Sequence, residues 1–325
     1  MNQLLSTKAT ITCHTLEGEW PIFYRVWQPR QGEPRAVVHI NHGMAEHSDR
    51  YSALALELAQ QGLVVFAQDH PGHGQSVPSN TELGTLPVNS GWESVLTSMT
   101  LVNRQIQSRY PQLPQILFGH SMGSFACLDF LERKLAPDSL SAVILSGSNQ
   151  NPAPLDYALR VLARGEITRQ GARGVSPIIR GLTFDAFNRQ FKPNRTSVDW
   201  LSSDASQVDR YLYDPLCGFG VSNQLWHAFA ASLTRIFRPS KLKRLPKAPA
   251  YLLAFGEQDP LSCQGGAKRL ANSLSRLGLN VDSKIFVGRH EILNEVNHDQ
   301  VSAFISQWID TQLRLVDAKL ISALA

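Results

Sequence analysis

The sequence has few cysteines, and none in a pattern that carries chemistry. Cys13, Cys127, Cys217 and Cys263 are widely spaced and form no C-x-x-C pair or Cys/His cluster of zinc type, so neither a disulfide framework nor a structural zinc is expected. No metal and no cofactor follows from any motif. Long apolar runs are also missing. Nothing approaches the roughly 18 uninterrupted apolar residues of a membrane span, and Met1-Asn2-Gln3-Leu4-Leu5-Ser6-Thr7-Lys8 lacks the apolar core of a signal peptide. The expected location is therefore cytoplasmic, with peripheral contact at the inner face of a membrane still open. Charge of one sign is scarce too. A net charge of +4 over 325 residues gives no footprint for nucleic acid. The basic stretch Arg235 to Lys247 is read as a solvated helix end and linker rather than an anionic-surface patch. There is no internal repeat and no low-complexity tract.

What is present is a chain with 43% hydrophobic and 18% charged residues, the composition of a globular protein with a large core. Apolar runs near residues 20–27, 35–41, 63–68, 114–118, 140–146, 249–255 and 281–287 read as strands. Between them, helical patterns cover Tyr51 to Gln61, Gly91 to Arg109, Ser124 to Arg133, Gly266 to Leu277 and Val301 to Val316. Such alternation implies a mostly parallel sheet with helices on both faces, an α/β fold. The rhythm breaks for about 100 residues between Leu145-Ser146-Gly147 and Pro249, where Leu155 to Gly165 is helix-like and little β-pattern appears.

The strand-like Pro114-Gln115-Ile116-Leu117-Phe118 runs into Gly119-His120-Ser121-Met122-Gly123 and then a helical pattern. A strand entering a helix through G-x-S-x-G is a nucleophile elbow, in which the flanking glycines permit a tight turn and the serine hydroxyl stands above the sheet. Serine is also a favoured helix cap, but a cap does not call for glycine on both sides. Ser121 is thus the candidate nucleophile.

Serine needs a base, and the base needs an acid to fix its tautomer and stabilise its charge. The run Ala250-Tyr251-Leu252-Leu253-Ala254-Phe255 ends in Gly256-Glu257-Gln258-Asp259-Pro260, and the next strand-like run ends in Gly288-Arg289-His290. The order Ser, acid, His and the strand-end positions suit an open α/β sheet. His290 is the candidate base. The acid is Asp259, with Glu257 two residues away and Asp282 in the following strand region as competitors. Asp69 reads as a turn or capping residue. The oxyanion hole needs two backbone N–H groups, one after the nucleophile and one from the loop after an early strand. Met122 and, within Asn41-His42-Gly43-Met44, Met44 fill those positions. His42, Gly43 and His120 flank them and are expected beside the substrate.

Four motifs in order resemble the α/β-hydrolases of the monoacylglycerol lipase and lysophospholipase-like group: His42-Gly43-Met44-Ala45-Glu46-His47-Ser48-Asp49-Arg50-Tyr51, Asp69-His70-Pro71-Gly72-His73-Gly74, the elbow, and Arg289-His290-Glu291-Ile292-Leu293-Asn294-Glu295. Trp200-Leu201-Ser202-Ser203-Asp204 and Asp214-Pro215-Leu216-Cys217-Gly218-Phe219 resemble its bacterial members. Pro71 departs from the arginine usual in that group. The resemblance implies the α/β-hydrolase fold with a helical cap after the sixth strand, which divides the chain into core (1–148), cap (149–222) and core (223–325). It assigns the Asp259 position as the triad acid and implies hydrolysis of a small-molecule acyl ester through an acyl-enzyme. Peptidase, thioesterase and perhydrolase chemistry, and a non-catalytic binding role, remain alternatives on the same fold.

Overall fold

A computed structural model of the chain describes residues 6–15, 18–79, 81–134, 140–262 and 265–324. Cys263 lies outside them. Eight strands form one sheet in the order β1-β2-β4-β3-β5-β6-β7-β8. They are β1 (Thr7–Thr15), β2 (Gly18–Trp27), β3 (Ala36–Asn41), β4 (Leu63–Gln68), β5 (Gln115–His120), β6 (Leu140–Ser146), β7 (Ala250–Gly256) and β8 (Asn280–Phe286). Only β2 runs against the rest, pairing antiparallel with β1 on one side and β4 on the other. Strands β3 to β8 pair in parallel. The helices are α1 (Ser52–Gln60), α2 (Gly91–Arg109), α3 (Met122–Arg133), α4 (Ala153–Gln170), α5 (Pro177–Leu182), α6 (Phe184–Asn188), α7 (Ala205–Tyr213), α8 (Asn223–Ile236), α9 (Pro239–Leu242), α10 (Gly266–Ser275) and α11 (His298–Leu324).

The central strands are apolar throughout because both faces are covered, and alternate residues feed different cores. Leu117, Val143, Leu145 and Leu253 pack with α2, α3, α8 and α10, whereas Ile116, Phe118, Ile144 and Leu252 pack with α1 and α11. The run Thr7–Thr15 carries a strand that the pattern of apolar runs does not reveal. It is an outer strand paired with β2 alone, and Cys13 is its one fully buried residue. Threonine alternating with Ala, Ile and Cys gives too little apolar contrast to mark it.

The break in rhythm corresponds to α4 to α7, inserted between β6 and β7, with α4 packed along α8. Phe184, Phe187, Phe191, Trp200 and Tyr211 form a small cluster of their own, while Tyr213 is 86% exposed. The basic stretch is neither a free patch nor simply solvated. Arg235 pairs with Asp129 and Glu132, and Lys241 and Arg244 converge on Glu132, tying the end of α8 to α3. No helix among the described residues is long and apolar enough to cross a membrane.

Candidate active site

Ser121 sits between the end of β5 and the start of α3, with φ 49° and ψ −120°, a backbone conformation that costs a residue with a Cβ about 1–3 kcal/mol. Its amide N–H donates to Ser146 O at 2.9 Å, and Ser124 N–H donates back to Ser121 O at 2.9 Å. The flanking glycines are required by space. A Cβ at Gly119 would lie 2.5 Å from Gly123 O, and one at Gly123 would lie 2.2 Å from Asn41 O.

The candidate acid and base come together, and the base shares a cavity wall with Ser121. His290 Nδ1 donates to Asp259 Oδ1 at 3.0 Å, and both side chains are buried. Asp259 also accepts from Ser262 Oγ at 2.7 Å and from Leu261 N–H at 2.9 Å. Burial alone would raise the carboxyl pKa, but His290 and these donors hold it below the ordinary aspartate value. Burial likewise opposes charge on His290, yet Asp259, then Glu291 and Glu46, hold its pKa above the ordinary histidine value. The competitors fall elsewhere. Glu257 is exposed at the end of β7, and Asp282 accepts the indole N–H of Trp308 at 2.7 Å. Gly147, at φ 57°, passes beneath the base, and a Cβ there would meet His290 Cε1 at 2.9 Å.

The loop after β3 runs against the elbow, where a Cβ at Gly43 would be 3.2 Å from Ser121 Cβ. Gly43 is pinned at both ends: its N–H donates to Glu46 Oε1 at 2.5 Å, and its carbonyl accepts from His42 Nδ1 at 2.7 Å. His70 N–H donates to His42 Nε2 at 2.9 Å, which fixes the tautomer. Met44 follows in the cavity wall, and Met122 opens α3, where backbone N–H groups have no intrahelical acceptor. Ala45, at φ 59°, is held by Gly218 N–H and Tyr211 Oη, each 2.9 Å from its carbonyl. Arg50 bridges Glu46 to Glu291, the residue after the base. Leu201 O accepts Glu291 N–H at 2.8 Å. The insertion therefore touches both the loop after β3 and the loop that carries His290. Spacing does not show this; Glu46, Arg50, Trp200 and Glu291 all lie within recognisable motifs, but their pairing is a property of the fold.

The motif histidines are packed rather than poised. Burial pushes His39 and His42 down to about 4, and His73 and His120 to about 3. Each is neutral when folded and protonates below pH 6.5 when unfolded, so the unfolded chain binds more protons and stability falls as pH drops from about 6.5 toward 4. His39 alone, shifted from 6.5 to about 4, accounts for roughly 3 kcal/mol by pH 4. His290, with its raised pKa, works the opposite way, adding stability below about 6.5 that is lost as pH rises through its folded value. The melting temperature should drop by at least about 5 °C between pH 7.5 and 4.5. His39→Gln, which retains a donor for Gln68 and cannot titrate, should lose less over the same interval. An unchanged melting temperature across that range would contradict the role given to these histidines.

A cavity of about 190 Å³ opens over this assembly, lined by Ser121, His290, Gly43, Met44, His120 and residues of the insertion that include Val175, Phe184 and Trp200. His42 lies behind this wall. Among the described residues, His47, Asp214 and Cys217 bring three potential metal ligands within 4.8 Å of one another, a grouping that spacing conceals. His47 Nε2 already donates to Asp214 at 2.9 Å, and burial pushes the Cys217 thiol up so that it stays protonated.

Residues 32–297 match the family described as serine aminopeptidase, S33. The human monoglyceride lipase is 31% identical over 277 residues, 84% of this chain and 80% of that protein. The monoacylglycerol lipase of Mycolicibacterium smegmatis is 28% identical over 90% of this chain and 94% of its own length. A carboxyl esterase from Bacillus coagulans superposes with a TM-score of 0.85 at 24% identity, covering 94% of this chain and 99% of that one, which shows the α/β-hydrolase fold. On a family match spanning most of its length, this chain belongs to the serine aminopeptidase S33 family of α/β-hydrolases and is a serine hydrolase.

Proposed function

We propose that the protein hydrolyses monoacylglycerol- or lysophospholipid-like acyl esters, with residues 149–222 acting as a cap over a core of 1–148 and 223–325. Ser121 attacks the ester carbonyl while His290 Nε2 takes its proton. His290 then protonates the leaving alcohol, and water repeats the cycle to free the acid, with Asp259 orienting the imidazole throughout. The N–H groups of Met44 and Met122 receive the oxyanion.

The observation that carries the ester reading over a peptidase reading is the pairing of the cavity's carboxylates. Glu46 and Glu291 share Arg50, and Asp185 pairs with Arg180, while Val175, Phe184, Val198, Leu201 and Leu212 supply apolar wall. Each carboxylate of this lining already accepts a guanidinium N–H, so none is unpartnered for the free α-ammonium that an aminopeptidase must hold, whereas an acyl chain gains about 0.8 kcal/mol per buried methylene.

The kcat/KM on soluble esters is therefore expected to climb from acetyl to medium and longer acyl chains. Leu212→Ser, at a wall position 43% exposed, should flatten the series without unfolding the protein. Point changes are the right probe, because replacing all of residues 150–220 would also remove Leu201, Tyr211 and Gly218, which hold the catalytic loops. Exposed Leu155, Tyr157 and Val161 on α4 and Leu182 on α5 suit contact with lipid, so turnover should rise further once the substrate aggregates. An acetyl preference, or an aminoacyl-amide rate above the ester rate, would overturn this reading.

A further inference from the structure

The imidazole of His290 has a second partner besides Asp259. Trp200, from the insertion, lies against it with ring centroids 4.9 Å apart and planes inclined by 32°. The Trp200 carbonyl accepts His290 N–H at 3.4 Å, so one residue meets both the backbone and the ring of the base. Trp200 is 6% exposed, and its indole N–H is buried without a hydrogen-bond partner. Nothing polar fixes the ring. It is held by stacking on Phe184 at 5.8 Å and against Phe187 at 5.3 Å. An unsatisfied buried donor costs about 1–3 kcal/mol, which a leucine or phenylalanine wall would avoid. The indole face has a compensating property: tryptophan attracts a cation within about 6 Å of its ring more strongly than any other aromatic side chain.

His290 becomes that cation midway through the reaction. As the Oγ–C bond forms, the Ser121 proton passes to Nε2. It leaves for the alcohol oxygen as the ester C–O bond breaks. The charged groups acting on the ring are Asp259, Glu291 and Glu46, which favour the imidazolium, and the cation beside them is Arg50, bonded to both glutamates. His120, 4.8 Å away, stays neutral through burial. We propose that Trp200 is a positioning residue for the reaction, its indole face stabilising the imidazolium form of His290, so that the insertion acts on proton transfer as well as on substrate binding. The inference rests on His290 being the base of the ester hydrolase proposed above.

The test compares the parent with Trp200→Phe and Trp200→Leu on two esters of one acyl chain, a glycerol ester and a p-nitrophenyl ester. Glycerol must be protonated as it leaves, whereas nitrophenolate need not be. Trp200→Leu should move the rising limb of kcat/KM to lower pH by roughly half a unit to one unit. It should also reduce kcat on the glycerol ester about 10-fold, with a smaller loss on the nitrophenyl ester and full phosphonate labelling of Ser121. Trp200→Phe, which keeps an aromatic ring and removes the N–H, should fall between leucine and the parent, and it carries the test if the leucine variant does not fold. An unmoved limb on both esters, or a raised KM with kcat unchanged, would reduce Trp200 to a cavity wall. A parent enzyme with no ester turnover would instead defeat the functional reading itself.

Discussion

Replacing Ser121 with alanine should leave a folded protein whose ester turnover has fallen by about 10⁶-fold, with no labelling by a serine-reactive phosphonate. The loss is this large because the remaining parts of a triad cannot act without the nucleophile, and what survives comes from the oxyanion hole and from binding alone. Folding is retained because the contacts that fix the elbow are backbone contacts, from Ser121 N to Ser146 O and from Ser124 N to Ser121 O, and alanine keeps both. A companion variant separates chemistry from stability. Ser121 holds φ at 49°, which glycine adopts without strain, so Ser121→Gly should be equally inactive and melt at or above the temperature of the parent. Equal phosphonate labelling of the parent and Ser121→Ala would remove Ser121 from the mechanism.

Asp259→Asn should lower kcat by on the order of 10⁴ with little change in fold, whereas Glu257→Gln should change it little. The carboxylate accepts three donors, from His290, Ser262 and Leu261. An amide in its place offers one oxygen and two hydrogens, so it cannot satisfy all three. His290 and Leu261 share Oδ1 and Ser262 takes Oδ2, so an amide with its nitrogen at Oδ1 presents N–H to His290 Nδ1 and selects the tautomer in which Nε2 carries a hydrogen and cannot take the serine proton, whereas one with its oxygen there gives the imidazolium no compensating charge. Glu257, exposed at the strand end, has no path to the imidazole. A larger loss in folded Glu257→Gln than in Asp259→Asn would exchange the two roles.

The sequence exposes some parts of this site and hides others for a physical reason. Ser121 is legible because the elbow is local: two glycines are needed within five residues, and the clashes that require them come from the turn and the strand beside it. The choice of acid is partly legible. Glu257, Asp259 and Asp282 are chemically alike, and only the fold separates a carboxylate on the imidazole from one in solvent and one on an indole. The support around the base is not legible at all. Trp200 against His290, Tyr211 under Ala45 and Arg50 between Glu46 and Glu291 join residues far apart in the chain, and no spacing encodes a partner. Strand β1 escaped for the opposite reason, since its signal is local but faint. Its threonines alternate with small apolar residues on an outer strand, where only one edge of the backbone needs a partner.

The order of the strands has a kinetic consequence. The candidate catalytic groups stand at the ends of the parallel strands β3, β5, β7 and β8, but they come from positions 44, 121, 259 and 290 of the chain. Parallel neighbours are joined through helices, so every one of these adjacencies closes a long loop, and such contacts form late because the entropy of closure is lost before packing returns it. Helices α2, α3 and α11 can appear early from local contacts while the site is still dispersed. During refolding, then, recovery of circular dichroism should run ahead of recovery of hydrolysis, because secondary structure forms locally and the site only when distant strands have docked.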